Sequence, residues 1–170
     1  MCYSMGVNGR TKGATAERKL AKLFAIWWGS EFARTPLSGG FATVKFRNEW
    51  DAAGDLVTPD KSFPFCVESK KVEGWTLEQM LTSDKTLIHK WWEQTVKETP
   101  EGKIPLLVFT KNHAPLYVMM ATEDAVAAAT PEMMFFTTYV SDTHEKRRRV
   151  MIFSLAYLLK TKKESWLYDR

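Results

Sequence analysis

The chain has 170 residues, 24 Lys and Arg against 20 Asp and Glu for a net charge of +4, and is 45% hydrophobic and 26% charged. That length fits one domain able to bury roughly 70% of its unfolded surface, so neither disulfides nor a structural metal is required, and the composition excludes a disordered chain. Cys2 and Cys66 show no metal spacing, and the longest apolar run, Val150 to Leu159, is interrupted by Ser154, which argues against a disulfide scaffold, a zinc finger and a membrane span.

In chain order, Ala14 to Trp28 places Ala16, Leu20, Leu23, Phe24, Trp27 and Trp28 at helical spacing before Gly29, which predicts an amphipathic helix. Phe32 to Thr35 before Pro36 reads as a short strand, Ser38-Gly39-Gly40 as a turn, and Phe41 to Trp50 as irregular. Ala53 to Thr58 and Phe63 to Lys71 read as two strands of a hairpin joined by Pro59-Asp60-Lys61-Ser62. Thr76 and Gln79 have capping-box spacing, and Leu87, Ile88, Trp91, Trp92 and Val96 form the stripe of a longer helix ending near Pro100. Ile104 to Thr110 and Leu116 to Ala121 read as buried strands, Thr122 to Ala129 as a short helix, and Val150 to Phe153 as a last strand leading into a helix over Leu155 to Lys160. This order indicates a mixed α/β layer fold in one domain over 1–170, with a core of about 12–121 and C-terminal additions over 122–170. Leu20, Phe24, Val57, Phe65, Val67, Trp91, Leu106 and Val108 lie on the apolar phase of their elements and are the expected core.

Strand alternation supplies the chemistry. Phe65 and Val67 point to one face and Cys66, Glu68 and Lys70 to the other, so a carboxylate and an ammonium share a face two residues apart. Pairing of the preceding strand brings Asp55 beside Glu68. Convergent carboxylates repel unless a cation lies between them, and hard oxygen ligands that leave room for water suit Mg²⁺. A lysine beside such a cation can stabilise charge on a phosphate or orient a water.

Asp55 followed by Glu68-Ser69-Lys70 resembles the D…(D/E)xK core of the PD-(D/E)xK nucleases, which implies a restriction-endonuclease-like core with a central mixed β-sheet flanked by helices. The opening Lys12-Gly13-Ala14-Thr15-Ala16-Glu17-Arg18-Lys19-Leu20-Ala21-Lys22-Leu23 and the segment Arg34-Thr35-Pro36-Leu37-Ser38-Gly39-Gly40 are similar to archaeal-type Holliday junction resolvases and their phage-encoded relatives. The resemblance implies Glu17, Asp55, Glu68 and Lys70 as catalytic residues, with Asp55, Glu68 and Glu17 as metal ligands. It makes Arg34 and Ser38 neighbours on the first strand and its loop, and Gln94, in Trp91-Trp92-Glu93-Gln94, a further supporting residue. Asp51 and Asp60 compete with Asp55, the latter as a literal Pro-Asp pair, but Asp60 falls in the turn and Asp51 precedes the strand.

Taken singly, each residue has a plainer reading: Glu17 as a solvated first-turn glutamate, Glu68 and Lys70 as an exposed strand face, Trp91 and Trp92 as core. Lys146-Arg147-Arg148-Arg149 reads first as a solvated charged loop and second as a phosphate-contacting run, and His89, His113 and His144 show no metal spacing. The ordered combination favours a Mg²⁺-dependent DNA endonuclease, with Mn²⁺ able to substitute; the resemblance implies four-way or other branched DNA as the substrate, and the junction's two-fold symmetry then predicts a homodimer. A nuclease for duplex, flap or single-stranded DNA and a non-catalytic DNA-binding module are the alternatives. Arg10, Lys12, Lys45 and Arg47 are the expected basic face. The N-terminus lacks an apolar signal region, which predicts a cytoplasmic protein, phage-encoded and in the host cytoplasm if the phage resemblance holds, with no membrane partner and with reduced cysteines.

Overall fold

In the computed structural model, residues 9–35, 54–83, 85–126, 135–141 and 147–167 are described. The first helix, α1 (Gly9–Trp28), carries Leu20, Ala21, Phe24 and Trp28 on one face, all buried. Gly29, at φ 74°, follows its last turn, and the Gly29 amide donates to Ala25 O at 3.0 Å. Two short strands, β1 (Ala33–Arg34) and β2 (Leu56–Val57), pair antiparallel.

The central sheet has five strands among the described residues, β3 (Phe65–Lys71), β4 (Ile104–Thr110), β5 (Tyr117–Ala121), β6 (Phe135–Ser141) and β7 (Arg147–Ser154), in the spatial order β3-β4-β5-β7-β6. Only β3 and β4 run parallel, and the crossover between them contains α2 (Gln79–Thr82) and α3 (Leu87–Glu98). A parallel pair needs such a crossover, which is why a helical stripe falls between these two apolar runs. The sequence-level capping box forms: Thr76 N donates to Gln79 Oε1 at 3.2 Å and Gln79 N to Thr76 Oγ1 at 3.3 Å. A second closes α3, where Thr86 Oγ1 accepts from His89 N and Thr86 N donates to His89 Nδ1 at 3.3 Å. The chain continues through α4 (Thr122–Val126), α5 (Leu155–Leu158) and a 3-10 turn, Lys163–Trp166.

Both faces of the sheet are covered, so β4 reads as a continuous apolar run. Phe65, Val67, Leu106 and Val108 meet Leu20, Phe24 and Trp28 of α1 on one side, and Leu107 and Phe109 meet Ile88, Trp91 and Trp92 of α3 on the other. Every residue expected in the core is buried, including Val57 and Trp91. Trp91 and Trp92 are therefore core residues rather than stacking platforms. The result is the mixed α/β architecture of a restriction-endonuclease-like fold.

Two expectations are corrected. The predicted hairpin of β2 with β3 does not form: β2 pairs with β1, and the segment touches β3 through a single parallel bridge, Gly54 to Val67. A positive φ of 76° at Gly54 turns the chain there, so Leu56 and Val57 leave the edge of β3 instead of running back along it. Nor is the arginine run a loop. Arg147, Arg148 and Arg149 open β7 and pair with Ser141, Val140 and Tyr139, a ladder that fixes their backbone whatever their charge. Lys146, Phe41 to Trp50, Asp51 and Ser38 lie outside the described residues.

Candidate active site

The catalytic candidates converge on the outer edge of β3. Glu68 and Lys70 stand opposite Leu107 and Phe109 of β4, so they occupy at the sheet edge the face that is apolar one strand further in. Glu68 is buried, and Lys70 Nζ lies 2.5 Å from its Oε1. The exposed-strand reading of this pair is thereby excluded.

Main-chain geometry then seats Asp55. Ile104 N donates to Pro64 O and Val72 N to Thr110 O, so in the parallel ladder the even-numbered residues of β3 bond to β4 and the odd-numbered ones present their main chain to the free edge. On that edge Asp55 N donates to Val67 O at 2.7 Å, and Ser69 N donates to Asp55 Oδ2 at 2.8 Å. By the same alternation the Ser69 carbonyl faces the side on which Asp55 sits. From the other side, Thr35 Oγ1 donates to Gly54 O at 2.6 Å and Thr35 N to Asp55 O at 2.8 Å. Two strands thus grip the Gly54–Asp55 peptide.

Gly54 and Thr35 were not singled out in the sequence, although a glycine directly before a candidate ligand is a signal for close backbone approach. A Cβ at Gly54 would meet Val67 O at 2.3 Å, in a conformation that L side chains rarely adopt. Gly54→Ala is therefore expected to lower stability by at least about 2 kcal/mol and to displace Asp55 from Ser69 N. Urea denaturation checks it, and an unchanged midpoint would show that the edge of β3 yields freely.

Electrostatics mark Asp55 out. Burial, then the neighbouring Glu68 charge, raise its pKa from 3.8 to about 6; the Ser69 amide opposes this, Glu17 adds to it and Lys70 opposes it. Glu17 on α1 therefore belongs to the same cluster, and its Oε2 accepts from Arg34 Nε of β1 at 2.8 Å. Arg34 Nη2 is buried and finds no partner among the described residues. Burial also raises the Cys66 thiol, consistent with a core cysteine rather than a nucleophile. Gln94 is exposed and donates to Glu98 Oε1 at 3.1 Å, with no hydrogen bond among the described residues to Glu17, Asp55 or Glu68.

Asp60 is built for a different purpose. Its carboxylate accepts from Ser62 N and Oγ, from Trp28 Nε1 at 3.0 Å and from Lys163 Nζ at 3.2 Å, tying the turn to α1 and to the C-terminal 3-10 turn. The Ser62 hydroxyl first, with its amide, Lys163 and Trp28, holds the Asp60 carboxyl down at about 2. A carboxyl whose folded pKa is depressed adds stability above its unfolded value, and that stability is lost as pH falls from about 3.8 towards 2. Asp60→Asn is accordingly expected to melt below the wild type at pH 7, with the gap closing near pH 2, while cleavage survives; thermal melts across that range and a cleavage assay check both parts. A dead but fully stable variant would return Asp60 to the ligand set.

The family described as "Phage putative PDDEXK endonuclease" matches residues 8–169. The chain belongs to this phage endonuclease family. Comparison with curated proteins and with solved structures gives no match. Membership in a phage PDDEXK endonuclease family makes DNA the substrate class and hydrolysis the reaction class. Among the described residues no helix is long and apolar enough to cross a membrane.

Whether this endonuclease suits a divalent cation is answered by its donor set. Asp55 Oδ1 and Glu68 Oε2 accept no hydrogen bond among the described residues, while Asp55 is held where a bare carboxylate is disfavoured. A cation there would relieve that cost. Among the described residues no three His, Cys, Asp or Glu side chains are grouped closely enough to hold a metal ion, so the donors that converge are Asp55 and Glu68 without a third side chain. Two carboxylates and a main-chain carbonyl suit Mg²⁺, which keeps several waters and leaves positions for a phosphate.

Proposed function

We propose that this endonuclease is Mg²⁺-dependent and cuts branched DNA, above all the four-way junction, acting as a homodimer. The observation that carries the reading is the convergence of Asp55, Glu68 and Lys70 on one free strand edge, with Glu17 and its Arg34 partner alongside. A protein that only binds DNA gains nothing from crowding carboxylates where a phosphate must approach.

In this reading Asp55 and Glu68 hold the cation together with the Ser69 carbonyl, and Glu17 holds a further water or a second ion. When bound, the cation supplies Lewis-acid polarisation of the scissile phosphate and offsets charge developing on it. The remaining work falls to the chain itself. The Ser69 amide and the Thr35 grip fix Asp55 before substrate arrives, so no reorganisation is needed at the moment of reaction. Lys70 Nζ orients the attacking water through a hydrogen bond and stabilises negative charge on the pentacoordinate phosphorus. Arg34 holds the Glu17 carboxylate in register with the site.

The junction preference rests on the resemblance of the Lys12 to Leu23 helix and the Arg34 to Gly40 segment to junction resolvases, and the dimer on the junction's two-fold symmetry. The test incubates the protein with end-labelled four-way junction, flap, duplex and single-stranded DNA, with Mg²⁺ and with EDTA. Paired, symmetric cuts in the junction, abolished by EDTA, are expected. Cutting that persists in EDTA would overturn the metal reading, and equal cutting of linear duplex would overturn the junction preference.

A further inference from the structure

The outward surface of α1 carries charge that the active site does not use. Thr15, Arg18, Lys19, Lys22 and Ile26 are exposed there, opposite the buried Leu20, Phe24 and Trp28. Arg18 and Lys22 are one turn apart, about 6 Å along the axis, and Lys19 flanks them. Among the described residues no ion pair involves any of the three. The nearest carboxylate in sequence, Glu17, faces Arg34 instead.

A helix surface that is simply solvated intersperses both signs, because like charges at i, i+4 repel by a few tenths of a kcal/mol. The outer surface of α3 does this: Lys90 and Lys97 are accompanied by Glu93 and Glu98, the latter bonded to Gln94. On α1 the repulsion stands unrelieved. Three cations there are a large share of a net charge of only +4, and they begin one residue from Glu17, whose charge Asp55 feels. A polyanion whose phosphates advance about 3.4 Å per nucleotide along each strand can place successive phosphates against Arg18 and Lys22.

We propose that the Arg18, Lys19 and Lys22 surface of α1 is a phosphate track that holds a DNA arm leading away from the cleavage site. The proposal rests on the reading of the chain as a DNA endonuclease but assigns a separate surface to backbone contact. The track positions the duplex without reading sequence, since it offers only cations to phosphate oxygens.

The test is salt-titrated binding of the same labelled junction and duplex, in EDTA, by wild type, Arg18→Ala/Lys22→Ala and Lys90→Ala/Lys97→Ala. All four positions are exposed on helices, where alanine is the best helix former, and circular dichroism verifies the fold. Removing two phosphate contacts is expected to flatten the slope of log K against log salt by about 1.8, while the α3 pair keeps the wild-type slope. Equal flattening by both pairs would reduce the effect to net charge and overturn the track. An unchanged slope for the α1 pair, or a wild type that binds neither DNA, would overturn it as well. Loss of slope in the α1 pair alone, with a wild type that cuts nothing in Mg²⁺, would sustain the track and sink the nuclease reading.

Discussion

Asp55→Asn and Glu68→Gln are expected to lose cleavage by on the order of 10³-fold or more while remaining folded. A neutral amide is a poor ligand for a hard cation and no longer balances its charge. The amide oxygen of Asn can still accept from Ser69 N, so the edge of β3 keeps its geometry and the loss isolates charge from shape. Stability should move the other way. A carboxyl raised from 3.8 to about 6 favours the fold fully only below about pH 4, and that contribution disappears as pH rises through 6. The metal-free protein therefore carries a penalty at pH 7.5 on the order of 3 kcal/mol, which the Asn variant avoids. The expected result is an Asp55→Asn protein melting several degrees above wild type at pH 7.5 without metal and level with it at pH 4. A variant that cleaves normally, or one less stable than wild type at pH 7.5, would remove Asp55 from the ligand set. The same titration makes the cleavage rate of wild type at limiting Mg²⁺ rise across pH 6, because a proton and the cation compete for one carboxylate.

The elements that position this site were legible in proportion to how local their signals are. Periodicity located α3, β3 and β4 to within two residues, and the end of α1 at Trp28 but not its start, which lies five residues before Ala14, because burial against the core is what the sequence records directly. Strand alternation likewise placed Glu68 and Lys70 on one face. The position of Asp55 was reached for the wrong reason: the expected antiparallel hairpin is absent, and a turn at Gly54 puts the carboxylate against the Ser69 amide. Register between segments depends on main-chain approach, which leaves only a glycine as its trace. The turn signal around Asp60 favours Asp55 in the sequence, and the three-dimensional environment adds the physical contrast: one carboxyl meets burial and acids, the other a hydroxyl, an indole and a lysine. The strand Phe135–Ser141 is an uncharged run of aromatic and β-branched residues, and its pairing fixes the backbone of Arg147 to Arg149, whose charge alone suggests a loop.

Lys70→Ala is expected to slow single-turnover cleavage by on the order of 10²- to 10³-fold, the scale of removing one donor aimed at developing charge. In the resting protein Lys70 Nζ is bound to Glu68 Oε1 at 2.5 Å, so the ammonium is held beside the ligand pair rather than free in solvent. Interactions lower the barrier only where they strengthen in the transition state, and a phosphate gaining negative charge draws the ammonium more strongly than a ground-state diester does. Junction affinity should change little, because one lysine supplies at most one of many phosphate contacts and a change of about 0.9 in the salt slope. Lys70→Arg separates charge from reach: it keeps the cation, but its planar fork cannot reproduce a compact ammonium packed against Glu68, so it should restore binding fully and rate only in part. Single-turnover cleavage and salt-titrated binding on one four-way junction, for wild type and both variants, give the decisive comparison. Equal cleavage rates for wild type and Lys70→Ala would sink the role assigned to Lys70. A rate loss matched by an equal affinity loss would make it a binding residue, because the ammonium would then act equally on ground state and transition state.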